Sequence, residues 1–328
     1  MVDALPDSPT ASALIDSAAA LLSLMDRDYL AIAQALDKPT FVADSLFWMR
    51  DRIPHPFLAA TCYWVQNFFG VKERLADLPI APSLVGPIVP PTAPRQDRQR
   101  SGIVVHLGGC DSPLSAIDAD SGYLDFIVDG LAESVLRSCF PGPMVVMAGR
   151  RCADALRSRY RGNNIEFVSV SPDRAAVLLD SAMAVLTAPG LTASLECFQL
   201  QQPAFFLPPQ NYSQWWILNK LRAHGLAPGA FHWENCLAGS PVTERMAESE
   251  RVPLLRSLIG GLSRDAQARR SFVAALDGYA ACDRDALAAT QRDFFESLGA
   301  NGLNAIVADL ARFTACLGDG NGAEAASR

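Results

Sequence analysis

The chain has 328 residues, of which 50% are hydrophobic and 19% are charged, a balance that excludes an intrinsically disordered protein. At roughly 100–200 residues per domain, this length predicts two domains, each with its own core. The formal net charge of −7 at pH 7 disfavours nucleic acid and anionic membrane surfaces as partners, because both attract basic proteins. A phosphorylated small molecule is not excluded, since backbone N–H groups at a helix N-terminus can hold a phosphate.

The cysteine pattern indicates a cytoplasmic protein with reduced thiols. None of the eight cysteines forms a CxxC pair, and with four histidines and no HExxH motif we predict no metal site. No apolar run reaches the roughly 18 residues of a membrane span. The N-terminal residues MVDALPDSPT show no signal-peptide pattern.

Residues 1–77 are predicted to form a first, incomplete domain. Residues 10–37 have helical spacing and end before Pro39, while residues 40–43 and 61–65 have the composition of strands. Residues 78–100 contain six prolines and end in a charged run, which predicts a linker because proline disrupts helices and central strands.

The remaining chain alternates regularly between short apolar strands and helices of about ten residues. Strands are predicted at residues 102–107, 144–148, 165–170, 184–187 and 204–207. This alternation predicts a parallel sheet covered by helices on both faces, so the fold class is α/β. We assign residues 101–300 to this second domain and residues 301–328 to a closing helix and tail.

Ligands of open α/β sheets bind beyond the carboxyl ends of the strands, so the residues that follow each strand are the first candidates. Gly108 and Gly109 follow the first strand of the second domain and let the backbone present N–H groups to an anion. A plain strand-to-helix turn explains these two glycines equally well.

Two further strand ends carry candidate residues. Pro189 and Gly190 form a turn after the fourth strand, Thr192 can cap the next helix, and Glu196 can accept ribose hydroxyls. A first-turn glutamate that complements the helix dipole is the alternative for Glu196. After the fifth strand, the amides of Gln210, Asn211 and Gln214 suit sugar hydroxyls, although a polar loop with Ser213 as helix cap accounts for them too.

These residues carry a resemblance to a known family. Residues 180–227 resemble the donor-binding half of GT-B glycosyltransferases, which use nucleotide-sugar donors, and most of all the family 28-like, lipid II-forming branch. The shared pattern is Pro189-Gly190, small residues, Glu196, two prolines and Gln214. The strings HLGGCDSP (106–113) and LPPQNYSQ (207–214) are similar to cytosylglucuronate synthase-like proteins. The resemblance covers about residues 40–315, with specific motifs only in 186–225.

The resemblance implies a GT-B fold with two Rossmann-like domains, of which the N-terminal one is expected to be truncated, because its opening strands and glycine-rich loop are not recognisable. It also implies a donor site. The residues expected there are Gly108, Gly109, Pro189, Gly190, Leu191 and Thr192 for the diphosphate, Glu196 for the ribose, Ser169 for the base, and Gln210, Asn211 and Gln214 for the sugar.

The implied activity is transfer of a sugar from a nucleoside-diphosphate sugar, a UDP-sugar by expectation, to a small acceptor such as a nucleobase or a natural-product intermediate. No metal and no further cofactor are expected. The candidate general bases are Asp44, His55 and Asp111. A loop-capping role is the alternative for Asp44 and an exposed loop position for His55, and we interpret His106 as a satisfied core histidine.

A second hypothesis is a non-catalytic GT-B-like protein that stabilises or activates a transferase. The expected truncation favours it, because an incomplete sheet exposes an edge that a partner chain can cover. A homodimer or heterodimer is therefore possible, whereas the donor motifs favour the enzyme.

Overall fold

The computed structural model describes residues 9–78, 82–91, 100–110, 122–162, 164–237, 239, 241–244 and 246–318. The chain divides into two compact units, one of Met1–Pro91 with Glu296–Arg328 and one of Thr92–Phe295. In chain order the helices are α1 Pro9–Ser17, α2 Arg27–Ala35, α3 His55–Leu58, α4 Val71–Ala76, α5 Tyr123–Glu133, α6 Leu136–Cys139, α7 Arg150–Arg159, α8 Pro172–Ser181, α9 Leu191–Gln199, α10 Tyr212–Ala223, α11 Glu248–Leu262, α12 Ala266–Ala281, α13 Arg284–Ser297 and α14 Gly302–Gly318.

The first unit contains a four-stranded parallel sheet. Its strands are β1 Leu21–Ser23, β2 Thr40–Asp44, β3 Cys62–Gln66 and β4 Ser83–Val85, in the spatial order β1-β2-β3-β4. Two of these strands differ from the sequence analysis. Strand β1 interrupts the predicted helix 10–37, and β4 lies within the predicted linker 78–100.

The break in the predicted helix has a local cause. The Ser23 hydroxyl accepts a hydrogen bond from Asp26 N at 2.9 Å and forms a turn after β1. The Asp26 carboxylate then caps α2 by accepting from the backbone N–H groups of Asp28 and Tyr29. Strand β4 is compatible with the nearby prolines because it lies at the edge of the sheet, where one side needs no ladder bonds.

The closing helix packs on the sheet of the first unit. Ile306 of α14 contacts the cluster formed by Phe41, Trp64 and Val85, and the Trp64 indole N–H donates to the Asp309 carboxylate at 2.8 Å. Residues 301–318 therefore belong with the first unit.

The second unit contains a five-stranded parallel sheet. Its strands are β5 Ile103–Leu107, β6 Met144–Ala148, β7 Ile165–Val168, β8 Ala184–Thr187 and β9 Ala204–Phe206, in the spatial order β7-β6-β5-β8-β9. All five strands predicted for residues 101–300 are present, which confirms the α/β class. One face of this sheet packs against an aromatic cluster of Phe126, Phe231, Trp233 and Phe272.

Two further properties bear on the sequence predictions. Among the described helices, none is both long enough and apolar enough to cross a membrane. The cysteines whose side chains are described form no disulfide bonds with one another, and Cys139 is exposed.

Candidate functional site

The strand order of the second unit defines a crevice at the carboxyl ends of its strands. The chain builds outward from β5 through β6 to β7 and then returns to the other side of β5 with β8 and β9. In open α/β sheets, ligands bind at the carboxyl ends of the strands where the order reverses, which here lies between β5 and β8. The chain just after β8 is still bonded to β5 at this point, because Ala188 N donates to His106 O at 2.9 Å.

The N-terminus of α9 lies at this switch point and has no side-chain cap. Gly190 occupies the cap position, and helix α9 begins at Leu191. The prediction that Thr192 caps the helix is wrong, because Thr192 is the second helical residue and is exposed. The N–H groups of Leu191, Thr192 and Ala193 precede the first intrahelical bond, from Ser194 N to Gly190 O, so they are available to an anion.

Glu196 lies on α9, one turn beyond these N–H groups. Its side chain is partly buried, and burial raises the pKa of its carboxyl group. Among the described residues, no hydrogen bond or ion pair to this carboxylate is present. Glu196 is the sixth residue of α9, whereas the helix dipole acts mainly on charges in the first turn. The dipole alternative is therefore weak, and a ligand hydroxyl is a better partner for this carboxylate.

The loop after β5 is held by an amide from α10. Gln214 Nε2 donates to Gly108 O at 3.2 Å, and Gln214 Oε1 accepts from Gln210 N at 2.9 Å. Gly109 has a φ of 91°, and a Cβ there would approach Gln214 Nε2 to 3.3 Å. Both ends of the Gln214 amide thus bind backbone, which ties the loop after β5 to the loop after β9.

The other two amides of this loop have different surroundings. Asn211 caps α10, because its Oδ1 accepts from Gln214 N at 3.0 Å and from the Ser213 hydroxyl at 2.8 Å. Asn211, and not Ser213, is thus the helix cap. Gln210 is fully buried and its Nε2 donates to Tyr123 Oη at 3.5 Å, while Oε1 has no partner within the described residues.

Ser169 also follows the carboxyl end of a strand but lies farther from the switch point. It follows β7, the outermost strand, and is exposed. At about 4.8 Å between neighbouring strands, β7 is roughly 14 Å from β8. That separation suits the base of a nucleotide whose diphosphate lies at α9.

Asp44 was a candidate base in the first unit, but its carboxylate is already bound. The side chain is fully buried; Oδ2 accepts from Arg50 Nε at 2.8 Å and from the Tyr63 hydroxyl at 2.9 Å. Oδ1 accepts from Leu46 N at 2.9 Å. This arrangement argues against proton abstraction by Asp44 and favours a role in holding the chain beyond β2. Burial and the neighbouring carboxylate raise the pKa of Tyr63 far above its ordinary value.

The two other candidate bases gain no support. His55 begins α3 and is exposed, and its neighbour Pro56 accepts a hydrogen bond from Gln34 Nε2, which also donates to Thr40 Oγ1. Thr40 is the first residue of β2, so His55 lies toward the end of the sheet opposite to Asp44, whereas ligands bind at the carboxyl ends. Asp111 lies outside the described residues.

His106, which the sequence analysis interprets as a satisfied core histidine, lies next to the switch point, and within the described residues only one of its ring nitrogens has a contact. Its ring lies at the carboxyl end of β5, where Nδ1 is 3.4 Å from Thr187 Oγ1. Within the described residues Nε2 has no hydrogen-bond partner. The available signal was the position of this histidine at the end of a strand, separated from the paired glycines by Leu107 alone.

Comparison with known proteins addresses the fold. No protein-family model and no curated protein matches the sequence. Among solved structures, spinosyn rhamnosyltransferase SpnG complexed with thymidine diphosphate is 13% identical over 92% of this chain and 80% of that chain, with a TM-score of 0.53. SpnG complexed with spinosyn aglycone has a TM-score of 0.51 at the same identity and the same coverage. MurG of Acinetobacter baumannii is 13% identical over 92% of this chain and 76% of that chain, with a TM-score of 0.46.

The protein has a GT-B fold. Its two parallel sheets are the Rossmann-like domains that the resemblance implied. At 13% identity the likeness extends to the architecture alone.

Proposed function

We propose that this protein is a glycosyltransferase that binds a nucleoside-diphosphate sugar at the carboxyl edge of the second unit's sheet and transfers the sugar to a small acceptor. One observation carries the proposal: the uncapped N-terminus of α9 lies at the switch point, and the Glu196 carboxylate, which has no partner within the described residues, lies one turn beyond it. An anion and a vicinal diol, the two features of a nucleoside diphosphate, suit these two groups.

The chemistry follows from the charge that develops during transfer. As the bond between sugar and diphosphate breaks, negative charge grows on the departing oxygen. The N–H groups of Leu191, Thr192 and Ala193 are fixed in orientation by the helix and stabilise that charge without reorganising. In this proposal no metal ion is needed for the leaving group. The hydrogen bond from Gln214 Nε2 to Gly108 O keeps Gly108 and Gly109 close to the diphosphate.

The donor and acceptor classes are narrower parts of the proposal. A UDP-sugar is the expected donor, and SpnG, a protein of the same fold, is complexed with another nucleoside diphosphate. The similarity to cytosylglucuronate synthase-like strings favours a nucleobase or a related aromatic acceptor. In the first unit, the contact of Trp48 with Phe68 at 6.0 Å places aromatic side chains just after β2 and β3, which suits such a ring.

Calorimetric titration with UDP, GDP, CDP and dTDP tests the donor site. We expect one diphosphate to bind selectively and Glu196→Gln to weaken it about 10- to 100-fold, because hydrogen bonds to a charged group contribute about 1.5–3 kcal/mol. The matched control is Glu250→Gln, which changes an exposed carboxylate on α11. Absence of binding by the wild-type protein, or equal binding by Glu196→Gln, would refute the assignment.

A non-catalytic partner is the second candidate function, and the geometry of Asp44 favours it. With that carboxylate bound by Arg50 and Tyr63, the candidate base at the carboxyl end of the first unit's sheet is already engaged. A turnover assay distinguishes an enzyme from a non-catalytic partner. An enzyme slowly hydrolyses its sugar nucleotide without an acceptor, whereas a partner protein binds the nucleotide unchanged.

A further inference from the structure

The register of the second sheet shows which face His106 occupies. His106 pairs with Thr187 of β8, and Thr187 pairs with Phe206 of β9, so the three side chains project to the same face. Phe198 of α9 contacts Phe206 with a ring-centroid distance of 6.2 Å, which places α9 on that face. His106 therefore lies on the side of the sheet covered by α9, at the end of the strand where the crevice opens.

The Thr187 hydroxyl is the basis for assigning the proton of His106 to one ring nitrogen. Thr187 Oγ1 lies 3.0 Å from Ala188 O and 3.4 Å from His106 Nδ1, and we assign its single hydrogen to the nearer acceptor, Ala188 O. Thr187 Oγ1 can then only accept from His106 Nδ1, which makes Nδ1 the protonated nitrogen and leaves Nε2 with a free lone pair. Burial lowers the pKa of His106, so the ring is neutral near pH 7.

The free nitrogen faces a position without a side chain. A Cβ at Gly108 would lie 3.3 Å from His106 Cε1 and 3.5 Å from Nε2, so any other residue would cover that edge of the ring. Within the described residues, no protein group donates to Nε2. A neutral acceptor beside the backbone of Gly108 fits a ligand that presents a donor group, and it does not fit a phosphate oxygen.

We propose that His106 Nε2 accepts a hydrogen bond from a hydroxyl group of the nucleotide sugar bound at the switch point, and that this contact helps to select the ligand. The inference rests on the proposed function, which supplies the class of ligand. It adds a ligand-binding residue on β5 to the groups already placed on α9.

Two substitutions separate the two nitrogens. His106→Asn retains an amide near the Nδ1 position, which can still donate to Thr187, but removes the acceptor at Nε2. His106→Gln places an amide oxygen near the Nε2 position. We expect His106→Asn to weaken binding of the wild type's preferred sugar nucleotide roughly fivefold and His106→Gln to change it by less than about twofold, as expected for one neutral hydrogen bond.

The ionisation state is tested without any ligand. Nitrogen-15 NMR of the histidine side chains, assigned with His106→Gln, should show the Nδ1-protonated neutral form for His106 at pH 7. Finding the proton on Nε2 would overturn the proposal, because that nitrogen could then accept nothing.

The binding outcomes also distinguish the two proposals. If the wild-type protein binds a sugar nucleotide and His106→Asn binds it equally well, the role of His106 is refuted while the donor site stands. If the wild-type protein binds none of the sugar nucleotides, the proposed function fails and the His106 contact fails with it. Circular dichroism verifies that both variants fold. If His106→Asn does not fold, His106→Gln remains informative.

Discussion

Replacing Asp44 by asparagine should destabilise the protein more than a change of one surface charge does. The carboxylate is fully buried and accepts hydrogen bonds from Arg50 and Tyr63 at 2.8 and 2.9 Å. The amide introduced by Asp44→Asn would point its NH2 group either at Leu46 N or at both Arg50 and Tyr63, all of which are donors, and would leave the Arg50 guanidinium without its counter-ion. Breaking a buried ion pair costs about 3–5 kcal/mol, and since Arg50 is partly exposed we expect about 3 kcal/mol.

Urea denaturation followed by circular dichroism measures this loss, with Asp51→Asn as a control because Asp51 is exposed. The double variant Asp44→Asn with Arg50→Met should lose less unfolding free energy than the two single variants lose together, because it no longer contains an unpaired guanidinium. If Asp44→Asn were as stable as the wild type but lost transferase activity, Asp44 would be a catalytic base and the structural assignment would be wrong.

Three further outcomes are expected. Gly302→Ala should destabilise the first unit by about 1–3 kcal/mol in thermal melting, because its Cβ would overlap Gly86 O, whereas Gly260→Ala, in an open helical position, should not. Burial lowers the pKa of His232 to about 4, so between pH 6.5 and pH 4.5 the unfolded chain takes up a proton that the folded protein does not. The wild type should therefore lose about 2–3 kcal/mol more stability over this range than His232→Asn, and parallel urea midpoints would contradict that. Sugar transfer should continue in EDTA, and loss of turnover restored by a divalent cation would refute the metal-free leaving-group proposal.

The sequence was most informative where strands and helices alternate. The strands of the second unit are short apolar runs bounded by turn residues, and all five were predicted. Strand β1 was missed because Leu21–Ser23 spans three residues in a stretch rich in alanine and leucine, and only its pairing with β2 identifies it as a strand. Strand β4 was hidden by nearby prolines, which an edge position tolerates.

For the candidate site, strand-end reasoning led to Gly190 and Glu196 but could not assign the polar groups around them. The sequence does not distinguish an amide side chain that binds a sugar from one that binds the protein backbone. Gln214 proved to hold Gly108 O, and Asn211 proved to cap α10. His106 is a different case: a histidine inside a strand suggests core, and only the structure shows that its single hydrogen-bond contact within the described residues is at Nδ1.

The return of the chain to its first unit has a consequence for biosynthesis. The sheet of residues 21–85 emerges from the ribosome before the second unit, yet the helix that covers Phe41 and Trp64 is made roughly two hundred residues later. The second unit, being continuous, can fold while synthesis proceeds, as domains generally do. The sheet of the first unit is therefore translated before the second unit but completed after it, and until then Phe41 and Trp64 lack the helix that covers them.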